Sequence, residues 1–422
     1  MKKVSLERKP RPWSLMMTAG YNPKWSEGSA KPPIFPTSTY VFESSEEGKK
    51  AFEVAYGLRE PEENEKNNLI YGRINHPGLQ IAEERLAICE SGAEACVIFS
   101  SGLAAITTAH VEFSEIGDFV LCGSPLYGGT DHFIKKVFPK RLGVTPIFFN
   151  TSHSKKDIMN LVETAGATGK VSMMLIETPA NPNNFLYDIR EMKNICKSLS
   201  TSEKKVLLAV DNTYMGPYWQ SPMLHGADLV LYSLTKFIGG HSDIIAGACL
   251  GSAELIQRIK VARTFWGDMS DPFSTWLLLR SLETLKIRMD QHAKNAKMVA
   301  KYLGNHPLIE NVRYVGNLTA KDGKQYLIKR KQCKTGGAMI TFDIEGDEAR
   351  AFKFMDNLKL IKKAVSLGST GSLIEPPYSQ THADVDADFK MKLGIKPNTV
   401  RLSVGIEDWH DIIDDIEQAM KA

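Results

Sequence analysis

The chain has 422 residues, more than one small module needs, and its length favours two or three domains. Lys and Arg number 52 against 49 Asp and Glu, and the resulting +3 gives no broad basic footprint for nucleic acid. Apolar residues at 43% and charged residues at 24% match ordinary globular usage, which excludes wholesale disorder, collagen-like repeats and a membrane-embedded bundle.

The basic start MKKVSLERKPRPWSLMMTAG is broken by charges and prolines before a secretory apolar region can form. The purest apolar runs, such as 206–210, fall far short of the ~20 residues that cross a bilayer. A cytoplasmic protein with no membrane and no nucleic-acid partner is expected. The six cysteines show no CxxC pair and no His at zinc spacing, so they read as buried thiols in a reducing compartment, and no metal is expected.

Residues 1–76 have little periodicity, contain Pro32, Pro33 and Pro36, and carry a charged stretch from Arg59 to Lys66. They read as an arm with a loop. Between Gln80 and Glu90, Ile81, Leu86 and Ile88 alternate with charged residues as in a short amphipathic helix. Five strand-sized apolar runs follow, at 95–99, 119–122, 173–176, 206–210 and 229–232, separated by polar helical spacers. Runs so uniformly apolar predict an α/β fold with a parallel sheet covered on both faces. A long helical pattern from Trp276 to Asn295 leads into a second mixed region that ends in a helix near Asp411–Met420. The expected division is an arm over 1–76, a large cofactor-binding domain over 77–272 and a smaller C-terminal domain over 273–422.

In open α/β sheets the ligand lies beyond the carboxyl ends of the strands. Those ends read Ser100-Ser101-Gly102-Leu103, Tyr127-Gly128-Gly129-Thr130, Glu177-Thr178-Pro179-Ala180-Asn181-Pro182, Asp211-Asn212-Thr213-Tyr214 and Ser233-Leu234-Thr235-Lys236. Neither GxGxxG nor GxxxxGK[ST] nor HExxH occurs, so dinucleotide, NTP and zinc-protease chemistry lose their signatures. A lysine flanked by small hydroxyls, a strand-end aspartate, a glycine turn opening a helix and a tyrosine in a second glycine turn together suit pyridoxal 5'-phosphate.

In that reading Lys236 forms a Schiff base with the cofactor aldehyde. Asp211 bonds the pyridine nitrogen, while backbone N–H groups of Gly102 and Leu103, beside Ser101, meet the phosphate with Ser233 and Thr235. Tyr127 stacks on the ring and offers a phenol near the reacting carbons. Asn181 and Thr213 complete the cofactor set, and Glu177 orients its neighbours. Taken singly, each residue has a plainer reading: a solvated lysine, a helix-capping aspartate, a core tyrosine. The combination favours chemistry. The basic run Lys329-Arg330-Lys331 reads as solvated surface.

In this order these residues resemble the pyridoxal-phosphate family of cysteine and methionine metabolism, which includes cystathionine γ-synthase, cystathionine γ-lyase and methionine γ-lyase. The likeness spans nearly the whole chain. It includes Pro32-Pro33-Ile34, Thr37 to Tyr40, Tyr71 to Pro77, Glu177 to Pro182, Val210 to Tyr214, Ser233 to Asp243, Ser366 to Gly368, Thr381-His382 and Val400 to Asp408. The resemblance implies the aspartate aminotransferase fold type I, with a mainly parallel seven-stranded sheet and a smaller C-terminal α/β domain. It further implies that Tyr71 and Arg73 bind the cofactor phosphate of a neighbouring subunit, within a homotetramer built as a dimer of dimers. Arg401, with Ser366 beside it, would hold the α-carboxylate of a small sulfur amino acid.

The activity so implied is a carbon–sulfur lyase working by γ-elimination on methionine, homocysteine or cystathionine, with Lys236 as proton shuttle and Tyr127 as donor to the departing sulfur. γ-Replacement, as in cystathionine γ-synthase or an O-acetylhomoserine sulfhydrylase, is the alternative. A non-catalytic cofactor-binding protein is the remote one. Gly129, His132, Val365 and Glu375 depart from family patterns; the first argues against methionine specificity, while His132 and Val365 weaken the case for a second substrate carboxylate.

Overall fold

A computed structural model describes residues 10–60, 62 and 69–421. The basic start over 1–9 and most of the charged stretch between Arg59 and Lys66 lie outside the described residues. The large sheet contains seven strands: β1 (Ala95–Phe99), β2 (Phe119–Gly123), β3 (Thr145–Phe149), β4 (Val171–Glu177), β5 (Leu207–Asp211), β6 (Leu229–Ser233) and β7 (Gly247–Gly251). Their spatial order is β1-β7-β6-β5-β4-β2-β3, with β7 antiparallel to both neighbours and the other pairs parallel.

Five of these strands coincide closely with the apolar runs. The other two, β3 and β7, lack that pattern for physical reasons. β3 is an edge strand that carries Pro146, tolerated there because an edge needs fewer ladder donors. β7 begins and ends in glycine and is antiparallel. Alternation along the central strands supplies two cores: Met173 and Leu175 enter one, Met174 and Ile176 the other. The second of these runs on without a break into the C-terminal sheet through Phe342 and Leu402.

The C-terminal sheet has the order β10-β11-β12-β9-β8, from β8 (Ile309–Arg313), β9 (Met339–Ile344), β10 (Lys362–Lys363), β11 (Leu373–Glu375) and β12 (Thr399–Ser403). The helix joining the two sheets is longer than its periodic stretch, running Pro272–Leu303. Asp271 caps it by accepting from the Phe273 and Ser274 N–H groups, and Pro272 fills the first position, where no N–H is needed. The last helix spans Trp409–Lys421.

The arm is less loop-like than its sequence suggests, since residues Ser45–Ala55 form a helix. Its signal was Ser44 followed three residues later by Glu47: the Ser44 hydroxyl accepts from Glu47 N–H, and Glu47 accepts from Glu43 N–H. Lys329 to Lys331 end the helix Lys324–Gln332, where Lys331 pairs with Asp188. Five cysteines are buried, Cys333 is partly buried, and all six are free. Among the described residues no helix is long and apolar enough to cross a membrane.

Candidate active site

One cleft, enclosing about 910 Å³ of empty space including its open mouth, lies over the carboxyl ends of β4, β5 and β6. It is lined by eleven residues given roles in the sequence reading: Ser101, Gly102, Leu103, Tyr127, Glu177, Asn181, Asp211, Thr213, Ser233, Thr235 and Lys236. Each is carried there by the end of a buried strand, by the short turn after it or by a helix start.

Lys236 follows β6 in a tight turn. Its own N–H donates to the Ser233 carbonyl, and its carbonyl accepts from Gly240 N–H at 2.7 Å. Thr235 pins this turn to the start of β7, its hydroxyl accepting from Ala246 N–H at 3.1 Å. The Lys236 Nζ donates to Ser366 Oγ at 2.9 Å. Burial, aided by the positive charge of Arg401, pulls the amine down to about 8, which raises the share of the neutral, nucleophilic form near neutrality.

Across the cleft, Ser101 caps the helix Gly102–Phe113 by accepting from Ala104 N–H. Gly102 and Leu103 N–H belong to the first turn, which an α-helix leaves without internal acceptors. A Cβ at Gly102 would lie 2.9 Å from the Ser233 Cβ, so the close approach of helix and strand end requires glycine here. A helix N-terminus with hydroxyls from Ser233 and Thr235 alongside suits a phosphate.

Asp211 and Glu177 end neighbouring strands in register. Burial raises both carboxyls above their ordinary values, and the charge of Asp211 raises Glu177 further. Asp211 accepts from Thr213 N–H at 2.9 Å, and Glu177 accepts from Tyr127 N–H, fixing the tyrosine's turn. Two buried carboxyls facing a cleft call for a cationic ligand group, and a protonated pyridine nitrogen is one. The amine, the carboxyl pair and the phosphate cradle therefore fit pyridoxal phosphate as a set.

Arg401, on β12, and Ser366 are not among the residues lining the cleft; Arg401 lies buried behind Asn181, which is. It donates to Asn181 Oδ1 at 3.0 Å and to the Ser366 carbonyl at 3.2 Å. Asn181 Oδ1 also accepts from the Tyr214 hydroxyl at 2.6 Å, which leaves only its amide N–H₂ to donate to a ligand. Tyr214 belongs to a strand-end segment that the sequence marked, but its spacing gave no hint of this bond. Glu375, marked only as a departure, forms a buried ion pair with Arg401 at 2.8 Å. Tyr71 and Arg73 are not in this cleft: Arg73 is exposed, lies over the Tyr71 ring and donates to the Thr264 carbonyl at 2.7 Å.

Comparison with known proteins agrees with this geometry. The model of the family described as Cys/Met metabolism PLP-dependent enzyme matches residues 14–421. The chain is 37% identical over 395 residues to an L-methionine gamma-lyase of Treponema denticola, covering 93% of this chain and 92% of that protein. It is 35% identical over 409 residues to a cystathionine gamma-lyase of Bacillus subtilis, covering 97% and 98%. Its fold is similar to a solved cystathionine gamma synthase of Xanthomonas oryzae pv. oryzae, with TM-score 0.85 and 30% identity over 98% of each chain. A match across almost the whole length, together with the cleft's chemistry, means that the chain belongs to the pyridoxal-phosphate-dependent enzyme family of cysteine and methionine metabolism.

Proposed function

We propose that the protein is a carbon–sulfur lyase that eliminates the γ-substituent of a sulfur amino acid, giving a 2-oxo acid, ammonia and a thiol. The observation carrying this reading is the grouping of Lys236, Ser366, Arg401 and Asn181, linked by hydrogen bonds of 2.9–3.2 Å beside the Tyr127 turn. The bound cofactor supplies an electron sink for charge developing at the substrate carbons.

The protein's own residues do the rest. Arg401 holds the α-carboxylate, and the Ser366 hydroxyl steers the Lys236 amine. Lys236, once freed, takes the α-proton and moves it, its lowered affinity for protons suiting a group that both accepts and gives one near neutral pH. Asp211 keeps positive charge on the ring nitrogen. Tyr127, about half exposed at the cleft mouth, gives its phenolic proton to the departing sulfur.

Leu103, Ile106, Ile245 and Leu367 line the same cleft, and Lys236 is the one cation among its lining residues. Such walls favour an apolar thioether over a substrate with a second carboxylate. His132, whose presence already weakens the case for a second substrate carboxylate, is paired with Asp384 at 3.6 Å on the surface.

Tyr71 and Arg73 serve the cofactor phosphate of a second copy. Arg73 is bonded to the carbonyl of Thr264, which precedes exposed Phe265 and Trp266 in the chain, and the Phe265 ring stacks on Tyr56 at 6.4 Å. Exposed aromatic surface of this kind fits a subunit interface, and a homotetramer of two such pairs is the proposed assembly.

Purified holoenzyme incubated separately with methionine, homocysteine and cystathionine tests the reading by release of 2-oxobutanoate. Release from at least one supports γ-elimination. No oxo acid from any of them, with turnover only when an activated homoserine and a thiol are supplied together, assigns γ-replacement instead.

A further inference from the structure

Glu375 and Arg401 are direct partners across β11 and β12, and both side chains are almost completely buried. The Glu375 Oε1 contacts the guanidinium at 2.8 Å and accepts from the Thr381 hydroxyl at 2.9 Å. Its Oε2 has no hydrogen-bond partner, and neither does Arg401 Nε. The group that would receive a substrate carboxylate is thus already in contact with a carboxylate supplied by the protein, while one guanidinium N–H remains free.

We infer that Glu375 is the resident counter-ion of the α-carboxylate receptor, which an incoming amino acid displaces or neutralises, so that amino-acid binding is coupled to uptake of a proton by Glu375. This rests on the reading of Arg401 as that receptor. Two carboxylates on one buried guanidinium repel each other, and the repulsion is relieved when one of them takes a proton. The unpartnered Oε2 is the atom that receives it, and the proton comes from solvent.

The groups facing Glu375 make it the titrating member. Arg401 approaches from β12 and Lys236 from the turn after β6; both favour the charged form. Tyr214, after β5, also feels the Glu375 charge. Thr381 comes from the segment following β11, and its neighbour His382 is held neutral by burial, which pulls it down to about 4. Burial already raises the Glu375 carboxyl above its ordinary value against the opposing pull of Arg401, so a second anion needs to lift it only a little further. Glu375 is a positioning and affinity-setting residue: it acts through Arg401.

The sign follows from linkage. A carboxyl whose proton affinity rises on ligand binding favours binding at low pH, and affinity falls as pH climbs through the free-state value.

The test uses holoenzyme with L-norleucine, a methionine analogue without a γ-leaving group, and n-pentylamine, the same molecule without its carboxylate. Affinities are read from the cofactor's visible absorbance and proton uptake from calorimetry in buffers of different ionisation enthalpy. In the wild type, norleucine takes up more protons than pentylamine. Glu375→Gln removes that excess and tightens norleucine by about tenfold above the transition, one pK unit of coupling, while pentylamine is unchanged.

Equal proton uptake for the two ligands in the wild type overturns the inference without any variant. So does unchanged norleucine affinity in Glu375→Gln when Arg401→Ala weakens it. Unchanged norleucine affinity in Arg401→Ala instead overturns the receptor reading itself, and the counter-ion with it.

Discussion

Glu177 and Asp211 stand side by side at the ends of adjacent parallel strands; burial raises both carboxyls, and the charge of Asp211 biases Glu177 further toward holding a proton. The proposed cationic ring would favour the charged form of Asp211 instead. Replacing Asp211 with Asn removes a charge-assisted hydrogen bond, with an expected cost of roughly 1.5–3 kcal/mol, or about 10- to 150-fold in turnover. Steady-state rates, together with cofactor retention on gel filtration, check this outcome.

Lys236 provides a pH-dependent signature that does not require turnover. Its amine is held near 8 by burial, below the unfolded value of about 10.4. The unfolded chain therefore binds more protons between these values, and the cofactor-free protein gains stability from this residue as pH rises from about 8 to 10. Urea titrations of wild type and Lys236→Met across that range should show the wild type gaining relative to the variant. In the holoenzyme, borohydride followed by peptide mass analysis should mark Lys236 and no other lysine.

Arg73 lies outside its own cleft, so its loss is expected to act on a neighbour. In hybrid oligomers of Arg73→Ala and wild-type chains, cofactor should loosen in the wild-type subunit, whose own arginine is intact but whose neighbour's is missing. Normal retention there would remove the cross-subunit role.

Beneath the arm, Glu83 pairs with Arg263 at 2.7 Å and with Lys260 at 2.9 Å. Arg263 also donates to the Ile74 and Ile98 carbonyls, tying the segment that carries Arg73 to β1. Burial opposes ionisation of Glu83, but the two cations prevail and hold the carboxyl below its ordinary value. Glu83→Ala leaves the buried Arg263 uncompensated at a cost of about 3–5 kcal/mol, measurable by urea unfolding. This contribution is present above the ordinary carboxylate range and is lost as pH falls through the lowered value.

The central strands and the cofactor turns were legible because both are local signals. An uninterrupted apolar run between polar turns reports a strand buried on two faces, and Ser-Leu-Thr-Lys or Asp-Asn-Thr at its end reports a ligand crevice. Edge strand β3 and glycine-bounded β7 gave no such pattern, since their burial depends on neighbours rather than on their own residues. The helix Ser45–Ala55 announced itself only through the spacing of Ser44 and Glu47.

The sequence by itself determined the α/β class and the family, and it marked the lysine, aspartate and tyrosine that the fold brings into one cleft. Only the tertiary structure decided what Arg401 touches. Residues 181, 214, 366, 375 and 401 come from two sheets and several loops, and no spacing along the chain encodes their distances. Whether a buried guanidinium meets an amide, a carbonyl or a carboxylate is fixed by packing between the two sheets and their loops. That packing made Glu375, visible in sequence only as an unusual residue, the partner of the group proposed to recognise substrate.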